Sequence, residues 1–188
     1  MSVIRLTAPI APDVLRTLRA GDSVLLSGVI YTARDAAHGR LCAALQAGEP
    51  LPVDLRGQTV FYAGPTPTPP GRPSGAIGPT TSMRMDAYTP ALLRYGVNAM
   101  IGKGGRSDAV KQAMRQTGAV YFAAIGGCAA YMAACIRKLD VVAYDDLGTE
   151  SIKRLQVEDL PLTVAVDANG MDAYEMGMQN YLSSAKYE

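Results

Sequence analysis

Three short polar segments carry side chains able to grip a small anion, each read as the end of a strand beside glycines or a helix start. The first, TARDAAH at residues 32–38, places Arg34 in the first turn of an expected helix. A cation there opposes the helix dipole by about a few tenths of a kcal/mol, so an exposed ion pair or a bound carboxylate has to offset it. The second, GPTTSMRMD at 78–86, gathers Thr80, Thr81, Ser82 and Arg84. On a helical turn Thr80 and Arg84 share a face, whereas the plainer reading of the threonines is as helix caps. The third, IGKGG at 101–105, sets Lys103 between glycines that let a ligand approach the backbone, Gly104 among them. It lacks the spacing of a nucleotide phosphate loop, because no second glycine stands at the required distance before a Gly-Lys-Ser/Thr triplet.

Two guanidiniums, an ammonium and several hydroxyls suit a small ligand with two carboxylates. The planar fork of arginine matches a carboxylate through two parallel hydrogen bonds, and lysine adds a movable point charge. The missing residue types narrow the chemistry further. His38 is the sole histidine, and no His/Cys/Asp cluster has zinc or non-haem iron spacing, so no metal ligands are expected in this chain. Three cysteines are enough to leave one iron of a four-iron cluster open. Cys42, Cys128 and Cys135, however, lie in LCAAL, GGCAA and AACIR, which read as small apolar packing positions. Without C-x-x-C spacing they are expected to be reduced thiols in a cytoplasm.

The scaffold that must position these groups is expected to be a single domain over residues 1–188, because a chain of 188 residues buries about 70% of its unfolded surface. Lysine and arginine total 18 against 17 acidic residues, which leaves no general field for nucleic acid or an anionic membrane surface. The opening residues, charged at Arg5, Asp13, Arg16 and Arg19, fit neither a secretory signal nor a transit peptide. Residues 118–136 carry no charge and precede Arg137-Lys138, so a membrane span competes there with a buried strand and helix; Gly126-Gly127 midway favours the latter.

Periodicity predicts a strand over 23–31, a helix over 34–47 stopping at Gly48, and a short strand over 59–63. The Pro/Gly-rich run 65–79 must be a loop that delivers the chain to TTSMRMD, and loops this long in a compact domain tend to be functional or disordered. Thr89-Pro90 opens a helix that Gly96 ends. Strands over 98–102, 119–125, 141–144 and 162–166 alternate with helices over 107–116 and 127–138, which implies α/β layering. The tail after Asp172 is weakly amphipathic and tyrosine-bearing, with the look of a docking element.

The ordered set ARDAAH (33–38), GPTTSMRMD (78–86), AMIGKGG (99–105), GG (126–127) and VAVDANG (164–170) resembles the β subunit, or C-terminal domain, of class I fumarate hydratases and L-tartrate dehydratases, over essentially the whole chain. The resemblance implies a swivelling β/β/α domain. It also implies a hetero-oligomer with an α subunit whose three cysteines hold a [4Fe-4S] cluster with one iron open to a small dicarboxylate. Carried onto this sequence, it makes Arg34, Arg84 and Lys103 the carboxylate-binding groups, adds Thr81 and Gly104 to the substrate site, and makes Thr80 the candidate base. His38 is either a residue that orients Arg34 or a structural histidine. Ala33 and Cys128 depart from the residues common at those places. The implied activity is hydration of fumarate to L-malate, with tartrate or mesaconate chemistry as alternatives. A carboxylate-binding domain without catalysis is the reading from another class.

Overall fold

The computed structural model describes residues 3–184; the first two residues and the end of the tyrosine-bearing tail, 185–188, lie outside them. The chain folds as a mixed α/β structure around a closed barrel. Its elements are β1 (Ile4–Ala8), α1 (Pro12–Thr17), β2 (Ser23–Thr32), α2 (Asp35–Ala47), β3 (Thr59–Phe61), α3 (Thr89–Tyr95), β4 (Ala99–Gly102), α4 (Asp108–Thr117), β5 (Val120–Ala123), α5 (Ala129–Ala134), β6 (Ile136–Ala143), β7 (Ile152–Val166) and α6 (Ala173–Ser184), with 3-10 turns at Ser82–Met85 and Asp145–Glu150.

β2, β3, β4 and β5 run parallel, and β7 returns antiparallel between β5 and β2, closing a five-stranded ring. β1 adds to β2 and β6 to β7 outside the closure. Strand alternation then sorts the apolar residues into two cores. Ala99, Ile101, Val120, Phe122, Leu155 and Val164 fill the barrel. Val60, Tyr62, Met100 and Tyr121 face the other way, against Leu41 of α2, Leu92 of α3 and Met114 of α4. Helix ends follow their sequence signals: α2 and α4 stop at Gly48 (φ 71°) and Gly118 (φ 75°), whose left-handed backbone suits glycine.

Several expectations change. Arg34 is the N-cap of α2 with extended backbone, and Asp35 takes the first turn, where its charge favours the dipole. Thr80 lies outside the 3-10 turn Ser82–Met85, in a bridged extended segment, so it shares no helical face with Arg84. The expected helix 127–138 shrinks to Ala129–Ala134, because Ile136 begins β6 and pairs with β7. The strand expected at 162–166 is the last third of a 15-residue strand. Glu158, Asp159 and Pro161 disguise its length, and its register with β2 shifts between Leu26 and Gly28, where the positive φ of Asp159 marks an irregularity. β1 and α1 were not anticipated. No helix among the described residues is long and apolar enough to cross a membrane; residues 118–136 divide among β5, α5 and the start of β6.

Gly28 sits at that irregularity with φ 104°, and a Cβ there would fall 2.2 Å from the Ala8 carbonyl oxygen of β1. Gly28→Ala is therefore expected to lower the unfolding free energy by at least about 1–3 kcal/mol, read from urea denaturation. An unchanged midpoint would contradict the close β1–β2 packing.

Candidate functional site

The parallel strands deliver the three polar segments to one end of the barrel. β2 leads into Arg34, β3 into 62–64, and β4 into Lys103, and the carboxyl ends of parallel strands are the usual ligand side of such sheets. Residues 80–82 lie across the ends of β3 and β4 like a short extra strand. The Thr80 amide donates to the Tyr62 carbonyl at 2.7 Å, the Lys103 amide to the Thr80 carbonyl at 3.3 Å, and the Ser82 amide to the Lys103 carbonyl at 3.0 Å. Thr81 and Lys103 form a parallel bridge. Gly102 is required there, since a Cβ would fall 1.9 Å from Ser82 Oγ.

Carboxylates bracket the two guanidiniums. Asp35 Oδ1 accepts from Arg84 Nε at 2.9 Å, while its Oδ2 stands 3.9 Å from the Arg34 guanidinium. Glu150 Oε1 is 3.5 Å from Arg34 on another side, and its Oε2 accepts the Ala36 amide at 2.9 Å, at the N-terminus of α2. The Arg34 side chain is 20% exposed, and its Nε is buried with no hydrogen-bond partner among the described residues. Gly64 leaves room for it: a Cβ there would lie 3.2 Å from one terminal nitrogen. Arg84 is half exposed. Lys103 is exposed, its chain passing over Gly126, and it lines a cavity of about 480 Å³ with Ile125, Thr163, Ala173 and Tyr174. Neither arginine lines that cavity. Asp35 thus joins Arg34 to Arg84, and the 80–84 segment joins Arg84 to Lys103. Gly104 follows with φ 79° and open space beside its Cα.

Residues not singled out from sequence hold this arrangement. The Arg106 side chain is fully buried; Nε donates to Asp86 at 2.8 Å, and the terminal nitrogens reach the Thr89 hydroxyl at 2.8 Å and the Tyr62 hydroxyl at 3.4 Å. It lies about 5 Å from the rings of Tyr62 and Tyr121. Asp86 also accepts the Ser107 amide at the start of α4. The Tyr121 hydroxyl donates to the Gly104 carbonyl at 2.9 Å, so its bond with Ser82 at 2.8 Å must be donated by the serine. Burial pushes the Tyr121 phenol pKa up, which keeps that proton in place. In VAVDANG, Asp167 accepts the amides of Asn169 and Met171, giving the motif a turn-forming role.

His38 is fully buried, and its Nδ1 lies 2.9 Å from the Arg34 carbonyl. A carbonyl only accepts, so Nδ1 carries the proton and Nε2 is the bare nitrogen, without a partner among the described residues. Desolvation lowers its pKa to about 4, against the opposing pull of the Arg34 carbonyl, with the Arg106 charge adding to the depression. Cys42 and Cys135 are buried in separate cores, Cys42 in contact with the Tyr88 carbonyl and Cys135 with those of Tyr131 and Asp159. Among the described residues no group of three or more His, Cys, Asp or Glu side chains is placed to hold a metal ion.

The fold defines an α/β barrel domain whose strand ends carry Arg34, Lys103 and, on the adjoining segment, Arg84 and Thr80. The family model described as "Fumarase C-terminus" matches residues 1–177, and the chain belongs to that family. It is 42% identical over 152 residues to "Fumarate hydratase class I, anaerobic" of Escherichia coli (strain K12), covering 80% of this chain and 28% of the relative. It is 39% identical over 178 residues to "Fumarate hydratase 1, mitochondrial" of Leishmania major, covering 92% and 32%. With "Putative L(+)-tartrate dehydratase subunit beta" of Methanocaldococcus jannaschii the identity is 38% over 167 residues, 86% of each chain. The chain thus spans about a third of the fumarate hydratases it matches, but most of the β subunit.

Two outcomes follow from the support residues. Folding must exclude a proton from His38, so nothing is lost above its ordinary pKa of 6.5; as pH falls from there to about 4, the unfolded chain protonates first and stability declines by on the order of 3 kcal/mol. Urea denaturation across that window should show the slope in the native chain and lose it in His38→Gln. Arg106→Met strands the Asp86 carboxylate and should lower the unfolding free energy by about 3–5 kcal/mol in the same assay; a shift well under 1 kcal/mol would refute the pair's importance.

Proposed function

We propose that residues 1–188 act as one unit, of the swivelling β/β/α kind, serving as the β subunit of an iron-sulfur hydro-lyase that interconverts fumarate and L-malate. The observation that carries this reading is Arg34: a mostly buried guanidinium braced by two carboxylates at a helix N-terminus, with Nε unpartnered and Arg84 sharing the same brace through Asp35. Two guanidiniums grouped in this way suit a dicarboxylate.

In this reading Arg34, Arg84 and Lys103 take the substrate carboxylates, and Thr81 and the Gly104 backbone complete the contact surface. As a proton leaves the carbon next to a carboxylate, negative charge moves into that carboxylate, and a guanidinium fixed beforehand stabilises the developing charge without reorganisation. Thr80 is the proton acceptor. A hydroxyl is a poor base, so the neighbouring cations must stabilise its alkoxide character. No hydrogen bond among the described residues occupies the Thr80 hydroxyl, while backbone bonds on both sides hold its position. The [4Fe-4S] cluster belongs, in this proposal, to a cysteine-bearing α subunit in a hetero-oligomer, in a reducing cytoplasm where this chain's thiols stay free.

L-tartrate dehydration is the second reading, supported by the 38% identity to a relative named as a tartrate dehydratase β subunit. Co-purification with an α chain, followed by anaerobic assay on fumarate, malate and tartrate, separates the two; inactivity on all three removes the enzymatic reading. Within an active complex, Arg84→Ala is expected to cost about 2–5 kcal/mol of transition-state binding, a drop of at least about 30-fold in kcat/KM. Arg84→Lys should restore little, because an ammonium lacks the planar fork. Wild-type kinetics in the alanine variant would exclude this residue from the site.

A further inference from the structure

Lys153 is 95% buried by its fractional exposure of 5%, and the reaction assigned above does not use it. It stands opposite Thr32 in the β2–β7 ladder, two residues before Arg34, and its amide is bonded to the Thr32 hydroxyl at 3.1 Å. Its ammonium is surrounded by oxygens of one turn: the carbonyls of Gly148 at 2.8 Å, Thr149 at 3.1 Å and Ser151 at 3.3 Å, and the Ser151 hydroxyl at 2.7 Å. The Ser151 hydroxyl in turn donates to the Gly148 carbonyl at 2.7 Å. A neutral amine has two hydrogens for these four acceptors; the ammonium has three, so the charged form suits the turn although burial lowers its pKa.

The clamped turn faces Arg34 from two directions. Glu150 reaches the guanidinium and the Ala36 amide. The Thr149 hydroxyl bonds the Pro65 carbonyl at 2.6 Å, and the Thr149 carbonyl and Arg34 both crowd the Cβ position of Gly64, at 2.8 and 3.2 Å. The guanidinium therefore lies in a slot formed by Gly64 and the turn that carries Thr149 and Glu150. Gly148 has φ 57° and ψ −113°, a turn backbone that suits glycine.

We propose that Lys153 is a positioning residue for Arg34: its buried ammonium fixes the 148–151 turn, and the turn's Glu150 and Thr149 set the guanidinium for a substrate carboxylate. The carboxylate part rests on the function proposed above; the positioning itself does not. It is tested with Lys153→Met, Glu150→Ala and the double variant, by NMR hydrogen exchange of the Ala36 amide in the full chain. Each single change should speed Ala36 exchange by about tenfold, and the double should add little, as expected of residues acting through one contact. The amides of Leu155 and Val157, in the body of β7, should not change. Ser151→Ala, which removes one acceptor and keeps the lysine, should act in the same direction with smaller size, and decides the matter if Lys153→Met does not fold. In the assembled enzyme, Lys153→Met should raise KM for the dicarboxylate about tenfold with kcat held within about twofold. Unaltered Ala36 exchange in Lys153→Met, or effects that multiply in the double variant, would overturn the proposal. If the native complex acts on no dicarboxylate, only the functional reading fails, and the exchange data still judge Lys153.

Discussion

A charge that no ligand reaches organises the site. Arg106, fully buried between Tyr62 and Tyr121, spends its guanidinium on Asp86, Thr89 and Tyr62. Asp86 closes the TTSMRMD segment, and Arg106 follows the glycines after β4, so this one pair locks together the two segments carrying Thr80, Arg84 and Lys103. Burying an ion pair is costly unless the remaining hydrogen-bonding positions are filled, and here an amide, two hydroxyls and two aromatic faces fill them. The reward is specificity of placement: neither segment can slide without stranding a charge.

The cations at the strand ends are handled by the opposite principle. Arg34 and Arg84 are braced by Asp35 and Glu150 at distances that hold them apart without using every donor. Mutual repulsion between the guanidiniums is offset by the Asp35 carboxylate that they share, together with solvent around the half-exposed Arg84. His38 contributes from beneath, since its Nδ1 proton and the α2 backbone both converge on the Arg34 carbonyl.

Much of this was legible in the sequence, and the reasons are physical. β2, α2, β4 and α4 announce themselves through clean apolar periods and glycine stops, and all three polar segments stand at element ends where backbone and side chain can both face a ligand. β7 escaped because a strand holding Glu158, Asp159 and Pro161 shows no simple alternation; its register is dictated by β2 and β6. The helix assigned to 127–138 gave way because alanine-rich local preference yields to pairing with β7. Arg106 carries no local signal, since burial of a guanidinium depends on partners 20 residues away. Asp35 and Glu150 carried no local signal either, because a brace is defined only once α2 and the turn before β7 meet.

β7 has a further consequence for how the molecule assembles. Its pairing with β2 joins residues such as Ser23 and Thr163, and it also supplies the seam to β5. The barrel therefore cannot close until β7 is available, because that strand bridges β5 and β2. Such distant pairing slows folding and leaves hydrophobic edges exposed in the meantime. The slot around Arg34 comes together in the same late event, because the turn carrying Glu150 arrives on the front end of that strand.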